Sequence, residues 1–142
     1  NASQTTEEKL RNMIIELRTL ESLAGEIQAR IGVVDVSLRE LNIASLTTQG
    51  LELLKESDEA LVPIGSGCYL KVRIASTEKV VVGIGAGVTT EKTIKEALSF
   101  MENQAAELSK VRSSLQQQFI QIVERVETLR REIQKITSTL KT

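Results

Sequence analysis

The chain has 142 residues, 41% of them hydrophobic, 26% charged and only 2% aromatic, and its formal net charge is −1. Near-neutral charge excludes the basic face on which nucleic-acid binding draws, and so few aromatic rings argue against a conventional layered core, which takes much of its buried area from them. A single cysteine, Cys68, and no histidine exclude an intrachain disulfide and a Cys/His metal set, so no metal or cofactor is expected and a reducing, cytoplasmic setting is favoured.

The first flank carries Leu10, Met13, Leu17, Leu20, Ala24, Ile27, Ile31, Val34, Leu38 and Leu41 at alternating spacings of three and four. Such a seam stays against a partner helix only if the two supercoil, which predicts a left-handed coiled coil about 47 Å long at the rise of an α-helix. Thr5 with Glu8 three residues on is a capping-box pattern that sets the helix start near residue 6. No apolar run reaches the ~18 residues of a membrane span, and the polar, acidic start is unlike a secretion signal, so neither membrane nor export is expected. Past Leu41 the apolar residues Ile43, Leu46, Leu51, Leu53 and Leu54 leave the register, and Gly50 disfavours a helix interior by about 1 kcal/mol relative to Ala. Residues 1–56 are therefore expected to form one coiled-coil helix, irregular or broken near 42–50, with the defect at 47–50.

Residues 57–89 change to β-branched side chains punctuated by glycine. Ala60 to Ile64, then Cys68, Leu70, Val72 and Ile74 alternating with Tyr69, Lys71 and Arg73, then Lys79 to Ile84 and a short run at Val88 and Thr89 predict four strands in two hairpins. Two such hairpins are marginal alone, and their open edges invite pairing with other chains. Subunit assembly is the expected role, carried by Leu61, Val62, Ile64, Leu70, Val72, Ile74, Val80, Val82 and Ile84. Cys68 shares the alternation of Leu70 and Val72, so its thiol reads as a small apolar residue.

The last segment, 90–142, repeats the heptad at Ile94, Leu98, Met101, Ala105, Leu108, Arg112, Leu115, Phe119, Ile122, Val126, Leu129, Ile133, Ile136 and Leu140. This second seam spans about 69 Å, and Thr89 or Thr90 before Glu91 supplies a start signal. A chain that returns through a connector pairs its flanks antiparallel, with Leu10 opposite Leu140. Arg112, the one polar seam residue, either sets register or snorkels outward. The fold class is thus mainly α with a small β module: a long antiparallel coiled-coil hairpin of N- and C-terminal helices joined by two β-hairpins.

Nothing points to an enzyme. Gly83-Ile84-Gly85-Ala86-Gly87 has the look of a phosphate-cradling loop, but the residues that follow do not complete the fingerprint and no Walker Lys-Ser/Thr pair is present, so a hairpin turn is the stronger reading. Without histidine Cys68 lacks a base. The carboxylates Glu16, Glu21, Asp35, Glu124, Glu127 and Glu132 fall along helix faces as solvated stripes.

Leu61-Val62-Pro63-Ile64-Gly65-Ser66-Gly67 followed by an aromatic and Lys71, and Val80-Val81-Val82-Gly83-Ile84-Gly85-Ala86-Gly87 followed by Glu91-Lys92, lie between two heptad flanks of matching length. In this the chain resembles the alpha subunits of archaeal prefoldin, over its whole length in architecture. Two hairpins favour alpha over the beta type, which has one. The resemblance implies a hetero-hexamer of two alpha and four prefoldin beta subunits, hairpins closed into β-barrels, and an ATP-independent holdase chaperone for protein folding. Unfolded client proteins would be captured at the coiled-coil tips and passed to a group II chaperonin. For unfolded-protein binding the expected tip residues are Leu10, Met13, Ile14 and Leu17 from one helix and Ile133, Ile136 and Leu140 from the other, with Met13 and Ile14 foremost. The competing expectation is a structural coiled-coil adaptor without chaperone activity.

Overall fold

Heptad repeats without internal proline make long helices, and the glycine-punctuated, β-branched middle makes hairpins. In the computed structural model, which describes residues 2–141, the order is α1 (Ala2–Gly50), a 3-10 turn (Leu51–Leu53), β1 (Glu59–Gly65), β2 (Cys68–Arg73), β3 (Lys79–Gly85), β4 (Val88–Thr93) and α2 (Ile94–Lys141). The chain divides into two compact units, residues 1–36 with 109–142 and residues 37–108.

In the first unit α1 and α2 bury Met13, Ile27 and Val34 against Leu115, Val126 and Leu129, the last wholly inaccessible. Every one of these belongs to the predicted seams. Three interhelical ion pairs flank them: Arg125 with Glu16 at 2.9 Å, Arg130 with Glu21 at 3.1 Å, and Arg112 with Asp35 at 2.6 Å. They set an antiparallel register in which Leu10 lies level with about residue 136, one helical turn short of the expected Leu140. Arg112 reaches Asp35 with two nitrogens, Nε at 2.6 Å and Nη2 at 3.4 Å, a planar two-point match that an outward-snorkelling side chain would not make. Arg112 is therefore a register-setting residue.

Several expected boundaries move. α1 starts at Ala2 rather than near residue 6, so Thr5 is inside the helix and does not cap it. The helix also runs through 42–50 without the expected break and ends at Gly50, short of 56. Its heptad continues through Ser45 and Thr48, which are half-buried and buried, while Ile43 and Leu46 face solvent. The seam thus persists in small polar residues where the apolar ones leave it. Thr48 fits because its Oγ1 donates to the Ala44 carbonyl at 2.7 Å, satisfying the hydroxyl within its own helix. At the other end α2 begins at Ile94, not at 90. Thr93 Oγ1 accepts from the Glu96 N–H at 3.2 Å, so the effective N-cap is Thr93, and Thr89 and Thr90 lie in β4 instead.

Both hairpins belong to the second unit and share one design. β1 pairs antiparallel with β2 and β3 with β4, each pair shifting register just before its turn, between Pro63 and Gly65 and between Gly83 and Gly85. The loops are Ser66-Gly67 and Ala86-Gly87, all at positive φ (50° and 75°, 53° and 75°), the two-residue type I′ geometry that matches strand twist. Gly65 and Gly85, at φ 113° and 114°, take up the shift in backbone that L side chains rarely adopt. Gly87 leads into strand β4, so the glycine run is a hairpin turn and not a phosphate loop.

Candidate functional site

Alternation along paired strands sorts the hairpin residues onto faces. Register puts Ala60, Val62, Leu70 and Val72 on one face of β1–β2 and Leu61, Pro63, Tyr69 and Lys71 on the other. Leu61, Val62, Ile64, Tyr69 and Leu70 are all exposed, so both faces of this hairpin present apolar side chains to solvent. Val72 and Ile74, nearer its base, are half-buried. There the Ser57 N–H donates to Ile74 O at 2.8 Å and the Ile74 N–H to Asp58 O at 2.9 Å, and Asp58 Oδ2 accepts from the Lys55 N–H at 2.8 Å. The expected half-buried pattern of β2 is therefore confined to its base, and Cys68 at its outer end is exposed rather than packed as an apolar residue.

The second hairpin behaves differently. Val80 is half-buried and Val82 only 7% exposed, packed within their own unit together with Ala97 and Thr48. Of the nine expected assembly residues, Val82 is thus spent inside the chain, whereas Ile84 stays exposed. Val81, 68% exposed, and Val88 are apolar surface residues outside the expected set. Counting β3 in steps of two from Val80 selected its inner face; the unbroken run Val80-Val81-Val82 already required that one valine point outward.

In the first unit the expected tip residues lie where α1 begins and α2 ends. Met13 is 6% exposed and fills the seam; Leu10, Ile14, Leu17, Ile133 and Ile136 are half-buried; Leu140 is 48% exposed. Met13, expected foremost, is the least accessible of the seven, because it occupies a seam position. Ile15, outside the set, is exposed. Its signal was in the sequence: of the neighbours Ile14 and Ile15 only one can flank the seam. The Arg125 guanidinium holds the Glu16 carboxyl below its ordinary range chiefly by hydrogen bonds at 2.9 and 3.1 Å, which outweigh the opposing desolvation, while its charge adds the smallest share.

No helix among the described residues is long and apolar enough to cross a membrane. The family model for prefoldin subunits matches residues 20–139. The prefoldin alpha subunit of Methanopyrus kandleri is 35% identical over 80% of this chain and 73% of its own length, and that of Methanococcoides burtonii 31% identical over 89% and 92%. The cryo-EM structure of a filamentous prefoldin from Methanocaldococcus jannaschii superposes with a TM-score of 0.71 at 27% identity, covering 82% of this chain and 97% of that one. Two long helices around two small hairpins, heptad seams that meet antiparallel, and these likenesses together have one reading: the chain belongs to the prefoldin family of chaperones, among its alpha subunits.

Proposed function

We propose that this chain is a subunit of an ATP-independent holdase, working in the cytoplasm within a hetero-hexamer of two alpha and four beta subunits and passing unfolded polypeptides to a group II chaperonin. Clients bind where α1 begins and α2 ends, on Leu10, Ile14, Leu17, Ile133, Ile136 and Leu140, with Met13 joining when the last turns part. The observation that supports this reading most is the accessible apolar surface where α1 begins and α2 ends, with Leu140 48% exposed and Leu10, Ile14, Leu17, Ile133 and Ile136 half-buried. Each such side chain offers about 1.5–3 kcal/mol on full burial, an upper bound because ordering opposes it. One end alone binds weakly, and several on one frame gain by avidity of roughly 100-fold or more. The exposed hairpin residues Leu61, Val62, Ile64, Leu70 and Ile84 join the subunits.

Light scattering by a denatured test protein, with a beta-type subunit present, measures the activity. Suppression is expected at stoichiometric chaperone without nucleotide. Unchanged aggregation alongside a correctly assembled complex would sink the holdase reading and leave a structural adaptor.

A further inference from the structure

Besides its seam, α1 carries a second stripe of heptad spacing. Val33, Val36, Glu40, Ile43 and Thr47 follow one another at three, four, three and four, each two residues past a seam position, Ile31, Val34, Leu38, Leu41 and Ser45. Two residues turn an α-helix by about 200°, so this stripe lies opposite the seam on one uninterrupted helix. All of its residues are exposed, and so is Leu46 beside them. Single apolar side chains on a surface are ordinary, but Val33, Val36, Ile43 and Leu46 lie at regular spacing on a helix face that would otherwise be polar.

The order of residues along this face selects its partner. About a centre between Arg39 and Glu40, Val36 and Ile43 stand at equal distances on either side, Val33 and Leu46 further out, and Ala29 and Gly50 beyond them. From either end the face runs small, apolar, apolar, charged, then charged, apolar, apolar, small. Such a face complements itself when turned end for end. A two-fold axis between Arg39 and Glu40 sets Val36 against Ile43, Val33 against Leu46, and the cation of each chain against the anion of the other. Parallel pairing in register would instead oppose Arg39 to Arg39 and Glu40 to Glu40. Gly32, which disfavours a helix interior, lies on the same face, and a Cβ there would meet nothing within 4 Å, so no packing inside the chain requires it. Across the two-fold pair it stands level with Thr47 of the second copy.

We propose that this outer face of α1 is a homotypic docking surface, on which α1 of a second copy of this chain lies antiparallel, with two Arg39–Glu40 ion pairs at the two-fold axis and apolar pairs on either side. Contact from Ala29 to Gly50 is about 32 Å long. With four large apolar residues from each chain it stands at the small end of specific interfaces, so the dimer is reversible and forms as concentration rises. It uses neither the hairpins nor the end of the coiled coil where clients bind, and its failure would leave the proposed function standing.

Sedimentation equilibrium of the chain alone, over a range of concentrations, is expected to show monomer and dimer in exchange. Arg39→Glu opposes two pairs of carboxylates and should raise the dimer dissociation constant by about tenfold. Glu40→Arg should do the same with two pairs of cations. Both positions are exposed and receive good helix formers, so circular dichroism should not change. Arg39→Glu combined with Glu40→Arg reverses both charges and should restore the parent constant, and an equimolar mixture of the two single variants should associate more tightly than either alone. Ile43→Lys should weaken the dimer in every one of these backgrounds. A parent chain that stays monomeric would overturn the inference. So would a dimer indifferent to the single charge reversals, whose contact lies elsewhere, or a double variant as weak as the single ones. Single reversals that alter only the binding of a beta-type subunit would assign the face to that partner and overturn it as well.

Discussion

Residues in strained or charged settings give the sharpest tests. Ala86 sits at φ 53°, like its counterpart Ser66 at 50°, in left-handed backbone that its neighbour Gly87 passes with no Cβ to clash; Ala86→Gly should stabilise the β3–β4 hairpin by up to about 1 kcal/mol, the left-handed cost less the entropy of glycine. Gly85→Ala, at φ 114°, should cost about 1–3 kcal/mol. Hydrogen exchange of the β3–β4 amides reads both, and equal protection in the two variants would contradict the turn assignment. Glu16 gives a pH dependence. Its folded pKa lies below the ordinary carboxylate value because Arg125 binds the ionised form. The pair's contribution is therefore present above the unfolded pKa and is lost as pH falls through the folded one. Melting temperature followed down from neutral pH should drop less steeply in Glu16→Gln than in the parent across that acid window, and an identical slope would remove Glu16 from the account.

At the scale of elements, α1 carries a local conflict that its partner resolves. Gly50 and the displaced apolar residues argue for a break, yet Thr48 and Ser45 hold the seam positions and the helix continues. Gly50 lies at φ −63°, ψ −25°, ordinary helical backbone, and a Cβ there meets nothing within 4 Å. Gly50→Ala should accordingly raise stability by about 1 kcal/mol in thermal or urea unfolding; a loss would mean that glycine is required as a hinge. Arg112 and Asp35 are each partly exposed, 41% and 35% at the side chain, so Asp35→Ala should cost no more than about 1 kcal/mol. Its larger effect should be on register. Cysteine pairs introduced at Leu10 and Ile136, oxidised under equilibrium conditions, should cross-link efficiently in the parent and with a less selective pattern once Asp35 is gone.

For the whole molecule, the two units divide the labour. The first supplies half-buried and exposed seam residues where α1 begins and α2 ends, and the second supplies hairpins whose apolar residues are mostly uncovered. Shortening the chain by the last turns at both termini, through Leu10 and from Ile133, should therefore abolish suppression of client aggregation while the mass of the assembly with a beta-type subunit falls only by the residues removed. Loss of assembly in that variant would show that the units are not separable in function.

Heptad periodicity and the switch to β-branched, glycine-punctuated residues determined two long helices, two hairpins and the seam itself, down to Leu129 and Val126, because an apolar repeat states which face must be buried whatever covers it. Turn chemistry was equally legible, since Ser66-Gly67 and Ala86-Gly87 are local conformations that need no partner. Element ends were not: Thr5, Thr89 and Thr90 all have capping chemistry, and only the paired strands and the Glu96 N–H select Thr93. Nor could periodicity show which of two similar hairpins would cover its own helices. That Val82 is buried while Leu70 and Leu61 stand in solvent was decided by the packing of β3 over α1 and α2. In the first unit the pairing of α1 with α2 likewise decides how far Met13 is from a client, since a seam residue and a binding residue have the same side chain and differ only in whether the partner helix is in place.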